Sequence, residues 1–460
     1  MKRKLLCFML LLISFKPKVI GQAETRPTWA TETLEQKDKR MEWWRDARFG
    51  LFIHWGLYSV PARHEWVKSR EMISDKDYNK YFDAFNPDLY DPVQWAKQAK
   101  AAGMKYIVIT TKHHEGFCLW DSKVTDYRAT NTPARRDLLK QLVDACRAEG
   151  LRIGFYYSLI DWHHPDFTID QLHPLREDKS ALALNSNRDM SKYRQYLRDQ
   201  LTELLTQYGK IDELFLDYSY PGTNGKGAKD WDASNLLKMI RKLQPQIIVN
   251  DRLDLSQTDW GWDYKTPEQF MPVEWPTLNG LKVPWETCQT FSGSWGYNRD
   301  EYSWKSAHQL VSMLVETVSK GGNLLLNVGP TARGEFDSRA IERLAAIGNW
   351  MKYNNRAIYG CTQAPKEFTK PDNCFLTYNP QLNRLYIHII EWPFKSLHLP
   401  NYKGKIKFAQ LLQDGSEISF DEEIKPGSHT TETAASNDVI LHLPVQRPVS
   451  EMPVIEVFLK

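Results

Sequence analysis

The chain has 460 residues and a formal net charge of +3, with 60 basic and 57 acidic side chains. The two signs are mixed along the sequence, so no basic face is offered to a nucleic-acid backbone, and nucleic acid is not an expected partner. The length suits two or three domains, although a single barrel absorbs about 250 residues or more.

Met1-Lys-Arg-Lys followed by the apolar run Leu5 to Phe15 is too short to span a bilayer and is succeeded by small and polar residues up to Ala23. This predicts a secretory signal over 1–22, an exported periplasmic or extracellular enzyme, and no stable membrane insertion after its removal. From residue 30 to 360 strand-like and helix-like segments alternate. Asp91-Pro92 caps a helix that stops at Gly103, and the strand from Tyr106 follows. Asp137 starts a second helix, Gly150 ends it, and Ile153 to Tyr157 is the next strand. Further helices are expected at Ser191 to Gln207, Ser234 to Leu243, Ser306 to Ser319 and Asp337 to Asn355. Strands are expected at Glu213 to Asp217, Gln246 to Asn250 and Leu324 to Val328. Such alternation implies an α/β fold with a parallel sheet, here a (β/α)8-like barrel.

Leu253 to Asp300 breaks this rhythm with many Trp, Pro and Gly residues, and so long a loop within a domain is usually functional. Over 361–460 short alternating runs such as Leu385-Tyr-Ile-His-Ile, with turns at Asp414-Gly415 and Pro426-Gly427, predict a C-terminal all-β sandwich. Only one of the 17 tryptophans, Trp392, falls there, so this domain is expected to buttress the barrel and not to be the main aromatic stacking platform for a ligand. Without the signal five widely spaced cysteines remain, Cys118, Cys146, Cys288, Cys361 and Cys374, and no disulfide framework is legible.

Four apolar runs end in chemistry-bearing residues: Gly50-Leu-Phe-Ile-His54-Trp55, Tyr106 to His113-His114, Ile153-Gly-Phe-Tyr156-Tyr157 and Leu214-Phe-Leu-Asp217. In a barrel the carboxyl ends of the strands converge on one cavity. Asp217, a short carboxylate on a strand end, suits a nucleophile.

Phe49-Gly-Leu-Phe-Ile-His-Trp-Gly-Leu-Tyr-Ser-Val-Pro61, Glu65-Trp66 and Thr111-Lys-His-His-Glu-Gly-Phe-Cys-Leu-Trp-Asp-Ser122 closely resemble the family 29 glycoside hydrolases, the α-L-fucosidases, of a bacterial secreted type. Arg136-Asp-Leu, Asn250-Asp-Arg, Trp285-Glu-Thr-Cys, Ser294-Trp-Gly-Tyr-Asn and Gly321-Gly-Asn-Leu-Leu-Leu-Asn-Val-Gly-Pro continue the resemblance in order from about Arg40 to Gly360. The resemblance implies hydrolysis of terminal α-L-fucose from fucosylated oligosaccharides or glycoconjugates with retention of configuration, without metal or other cofactor. Retention requires two carboxyl groups about 5 to 5.5 Å apart. Asp217 matches the nucleophile, although Tyr-Ser-Tyr-Pro after it departs from the family's habit. Glu268, in Asp263-Tyr-Lys-Thr-Pro-Glu, is favoured as acid/base, with Glu286 and Glu274 as alternatives. His54, Glu65, Trp66, His113, His114, Tyr156, Arg252 and Trp295 match fucose-binding positions. The two adjacent histidines reach one sugar together only if the strand ends between them. Two rivals remain at this stage, a secreted fucose-binding protein without catalysis and a metal-dependent barrel hydrolase. Linkage preference and oligomeric state are not set by the sequence.

Overall fold

The computed structural model describes residues 25–422 and 437–460. The signal expected over 1–22 and the turn expected at Pro426-Gly427 lie outside the described residues. Strands β1 (Phe49–Ile53), β2 (Tyr106–Lys112), β3 (Arg152–Ser158), β4 (Glu213–Asp217), β5 (Ile248–Val249), β8 (Glu286–Thr290) and β9 (Asn323–Val328) form one parallel sheet in the order β5-β4-β3-β2-β1-β9-β8. A two-residue-strand hairpin, β6 (Thr277–Leu278) with β7 (Leu281–Lys282), lies between β5 and β8 in sequence. The two sheet edges are joined through residues 263–269, which bridge in parallel to both sides at Asn250–Tyr264, Lys265–Trp285 and Glu268–Cys288. This irregular segment occupies the eighth position of the barrel. It contains Pro267, which has no N–H to give to a regular ladder.

Strand side chains alternate between faces, and the alternation builds two cores. Leu51, Ile107, Ile109, Phe155, Leu214 and Leu326 face outward into a large cluster shared with the helices. Phe52, Val108, Tyr156, Phe215, Cys288 and Leu325 face inward and fill the barrel. Helix Leu34–Ala47 closes the amino end, inserting Met41, Trp44 and Ala47 into that inner cluster. Gly50 lets the Tyr106 ring cross β1, since a Cβ there would stand 2.3 Å from the ring.

Helices start where side chains can satisfy their first N–H groups. Asp91 caps Pro92–Ala101, Asp137 caps Leu138–Ala148, Ser306 caps Ala307–Ser319 and Asp337 caps Ser338–Asn354. Gly103 and Gly150 follow two of them at φ +89° and +72°. The expected helices at 191–207 and 234–243 are Met190–Gln207 and Ala233–Leu243.

From residue 362 the chain forms two antiparallel sheets. One comprises β10 (Thr362–Gln363), β11 (Cys374–Asn379), β12 (Arg384–Ile389), β17 (Val454–Leu459) and β14 (Ile406–Leu411) in that order. The other is β13 (Ser396–Leu399), β16 (Val439–His442) and β15 (Phe420–Asp421). Leu385, Ile387, Leu399, Leu441 and Val457 pack between them. The barrel contacts this layer through Trp350, whose indole donates to the carbonyl of Met452 at 2.8 Å, and through the Arg356–Glu456 ion pair at 2.8 Å. Among the described residues, Cys118, Cys146, Cys288, Cys361 and Cys374 are buried as free thiols. Among the described residues no helix is long and apolar enough to cross a membrane.

Candidate active site

The inward register of β4 runs Glu213, Phe215, Asp217, so the last residue of the strand points into the barrel mouth for the same reason that Phe215 fills its interior. Asp217 accepts from the Tyr156 phenol at 2.7 Å on one oxygen and from Arg252 at 3.0 Å on the other. Burial, reinforced by the nearby Glu268 charge, pushes its carboxyl up to about 6 against the pull of Arg252 and Tyr156. The other terminal nitrogen of Arg252 donates to Glu268 at 2.9 Å, and its Nε donates to the Thr266 hydroxyl at 2.8 Å. One guanidinium therefore holds both carboxylates. Glu268 is 43% exposed against 13% for Asp217, so the second carboxylate stands nearer the solvent.

The other two candidate acids lie elsewhere. Glu286 opens β8 at the amino end of the barrel, fully buried beside Glu213, and accepts from the phenol of Tyr106. Tyr264 donates to Glu213 in the same cluster. Burial holds both carboxyls in the neutral direction, Glu213 at about 7 against the hydrogen bonds of Tyr264 and Glu286, and the Glu213 charge raises Glu286 further. Glu274 is exposed and does not line the cavity that Glu268 lines.

His54 follows the inward Phe52 by two residues and packs on Trp295, Tyr156 and His113 at ring-centroid distances of 5.1, 5.4 and 5.6 Å. Its Nδ1 lies 2.6 Å from Oδ1 of Asn327, whose amide nitrogen donates to the Trp295 carbonyl at 2.7 Å. That second bond fixes the amide, so the histidine carries its proton on Nδ1 and leaves Nε2 as an acceptor. Burial lowers His54 to about 4 and keeps it neutral.

β2 has a register shift between Thr110 and Lys112, after which Lys112 pairs with Tyr157 and sits on the outer face, bonded to the buried Asp161 at 3.1 Å. The strand stops there, before both histidines, and the rings of His113 and His114 come together at 3.9 Å between centroids. His113 faces His54 and Tyr156, while His114 faces Trp66 and Tyr218. The Ser158 hydroxyl donates to the Ile160 carbonyl at 2.6 Å and accepts from Nδ1 of His114 at 2.8 Å, so this imidazole also keeps Nε2 as an acceptor. Burial holds both histidines well below their ordinary range.

Glu65 is buried and accepts from the Gly296 backbone at 2.9 Å. Burial disfavours its charge, yet the His64 imidazole and the Gly296 N–H hold the carboxyl down at about 2. The half-buried Trp66 packs on His114, Trp162 and Tyr218. Glu65, Trp66, Arg70, Tyr218, Glu268 and Trp295 line one cavity of about 650 Å³. Another, of about 540 Å³, lies near Trp350, Tyr353 and Arg447, and none of the residues nominated from sequence lines it.

The residues nominated from sequence thus gather in one place, apart from Glu286 and Glu274. Three positioning contacts had no role assigned from sequence: Asn327, Ser158 and Thr266. Asn327 was findable, because it stands two residues beyond the inward Leu325 at the end of β9.

A sequence profile described as "Alpha-L-fucosidase" matches residues 15–356. Plasma alpha-L-fucosidase of Rattus norvegicus is 32% identical over 98% of this chain and 97% of its own length, and tissue alpha-L-fucosidase of Homo sapiens is 30% identical over 76% of each. Alpha-L-fucosidase isoenzyme 1 from Paenibacillus thiaminolyticus superimposes with a TM-score of 0.85 at 42% identity, covering 92% of this chain and 99% of that one. A GH29 alpha-L-fucosidase from Bacteroides thetaiotaomicron, solved as a trapped covalent intermediate with 2-fluoro-fucosyl fluoride, gives 0.78 at 31% identity over 92% and 96%. With its barrel, its paired carboxylates and these relatives, the chain belongs to the α-L-fucosidase family 29 of glycoside hydrolases.

Proposed function

We propose that the protein is an exo-acting, retaining α-L-fucosidase that removes terminal α-L-fucose from fucosylated glycans by double displacement. The observation that carries this is the single guanidinium of Arg252 bonded at 3.0 and 2.9 Å to a buried and a solvent-facing carboxylate. A group that small supports the short separation of about 5 to 5.5 Å that retention needs.

In the first step an oxygen of ionised Asp217 attacks the anomeric carbon while Glu268 gives its proton to the departing glycosidic oxygen, leaving a fucosyl ester on Asp217. In the second, Glu268 takes a proton from water as that water attacks the same carbon, and the ester oxygen leaves as the Asp217 carboxylate. Tyr156 and Arg252 hold the nucleophile in place. Nε2 of His54 and of His114 and the charged Glu65 supply acceptors for sugar hydroxyls, and Trp66 and Trp295 supply apolar surface for the ring face and the C6 methyl. The basic start and the apolar run Leu5 to Phe15 support an exported enzyme.

The test is hydrolysis of an aryl α-L-fucoside followed by proton NMR of the first fucose released. The expected product is the α anomer, later equilibrating. The β anomer as first product contradicts double displacement, and fucose binding without turnover contradicts the enzyme reading.

A further inference from the structure

We infer that Tyr218 determines specificity on the leaving-group side, offering its ring as a stacking face to a pyranose next to the fucosyl unit; this rests on the function proposed above. Tyr218 directly follows Asp217 and has φ +80°, the left-handed region that a tyrosine enters only under strain. The segment around it fixes that conformation. Ser219 donates to the Arg252 carbonyl at 2.6 Å and accepts from the Trp231 indole at 2.9 Å, and the Tyr220 N–H donates to the Lys226 carbonyl at 2.7 Å.

What the strained backbone achieves is the placement of an aromatic ring. The Tyr218 ring stands 5.2 Å from Trp66, 4.8 Å from His114 and 5.5 Å from Tyr220, and it lines the 650 Å³ cavity together with Glu268. That volume falls in the range of about 300 to 1,000 Å³ that encloses ligands larger than one sugar ring. Asp217 lies deeper than Glu268, so the cavity opens above the carboxyl that must meet the departing oxygen. A residue sharing that opening with Glu268 faces the leaving group. Aromatic rings stack on the apolar faces of pyranoses. The exposed Arg70, which ends the turn Val67–Arg70, lines the same cavity and adds donors for hydroxyls on that second sugar.

The experiment compares kcat/KM on the best-cleaved isomer from a fucosyl-lactose panel with kcat/KM on methyl α-L-fucoside, whose leaving group has no ring to stack. It uses the full-length protein, Tyr218→Gly and Tyr218→Phe. Glycine adopts the same backbone without strain, and phenylalanine keeps the ring. The ratio of oligosaccharide to methyl glycoside should fall about tenfold or more in Tyr218→Gly and stay within about threefold in Tyr218→Phe. An unmoved ratio in the glycine variant overturns the inference, as does a phenylalanine variant that falls as far as glycine. Failure of the unmodified protein to cleave any of these substrates overturns the proposed function itself, a result distinct from an unmoved ratio.

Discussion

Arg252 and Asp217 form an ion pair at 3.0 Å at the mouth of the barrel, and the pair is not closed, because the same guanidinium is also bonded to Glu268. The cation lowers the cost of keeping a buried aspartate charged, while the second carboxylate raises it. The balance leaves Asp217 near 6, available as an anion at neutral pH without being held as a tight, unreactive salt bridge.

Removal of the attacking oxygen tests the first step. Asp217→Ala should lose at least about 10³-fold in kcat on aryl α-L-fucosides. Azide, entering the vacated face, should restore part of the turnover and give the β-fucosyl azide. A variant retaining most of its activity contradicts the assignment.

Glu268 and Glu286 separate by leaving group. Glu268→Ala should lose about 10² to 10⁴-fold on oligosaccharides and far less on activated aryl fucosides, whose leaving groups need little protonation. Glu286→Gln keeps the neutral form that its buried cluster favours, and kcat/KM should stay within about threefold. Both Glu213 and Glu286 are raised above ordinary carboxyl values, so their contribution to stability is complete below about pH 4.5 and is lost as pH rises, for Glu213 through about 7. Glu286→Gln should therefore weaken the alkaline fall in thermal midpoint, read by calorimetry from pH 5 to 9.

The pH profile gives a third check. Because burial lifts Asp217 to about 6, the ionised nucleophile is lost as pH falls below that value, and kcat/KM should show an acid limb near pH 6. The stability contribution runs the other way, being complete below about pH 4 and lost as pH rises through about 6. Asp217→Asn should accordingly flatten that decline. An acid limb centred near 4 contradicts the burial argument.

Arg252→Ala removes the largest opposing charge from Asp217. The acid limb should move upward by about one pH unit or more, with kcat/KM at neutral pH down about tenfold to a hundredfold. If the limb stays in place while KM alone rises, Arg252 acts on substrate binding and not on the nucleophile.

The sequence carried β1 to β4 and β9 because buried runs of about five residues ended in polar groups, but not β8, whose mostly polar Glu-Thr-Cys-Gln-Thr lies inside the stretch Leu253 to Asp300 expected as a loop. It carried most helices because Asp, Ser and Gly stand at their ends. It did not carry the eighth barrel position, since Thr266-Pro267 interrupts any strand signal. The strand expected over Gln246 to Asn250 shortens to Ile248–Val249 because the Asn250 side chain, not its backbone, exchanges bonds with both backbone groups of Leu216, at 3.1 and 2.8 Å. Helix Leu34–Ala47 was missed because only Met41, Trp44 and Ala47 of its polar sequence are buried. At the site, Asp217 was legible from its strand end. The preference for Glu268 came from family resemblance alone, and what sets it apart from Glu274 and Glu286 is its long-range contact with Arg252. The left-handed backbone of Tyr218 had no sequence mark, because the usual one is a glycine.

The most direct measurement is covalent labelling with 2-fluoro-fucosyl fluoride, followed by proteolysis and mass spectrometry of the modified peptide. The fluorine slows both steps, and the good leaving group lets the first outrun the second, so the ester accumulates. The label is expected on Asp217, in the peptide spanning Leu214 to Tyr220, and absent from Asp217→Asn. A label on Glu268, Glu286 or any other residue, or full inhibition with no covalent adduct, contradicts the account.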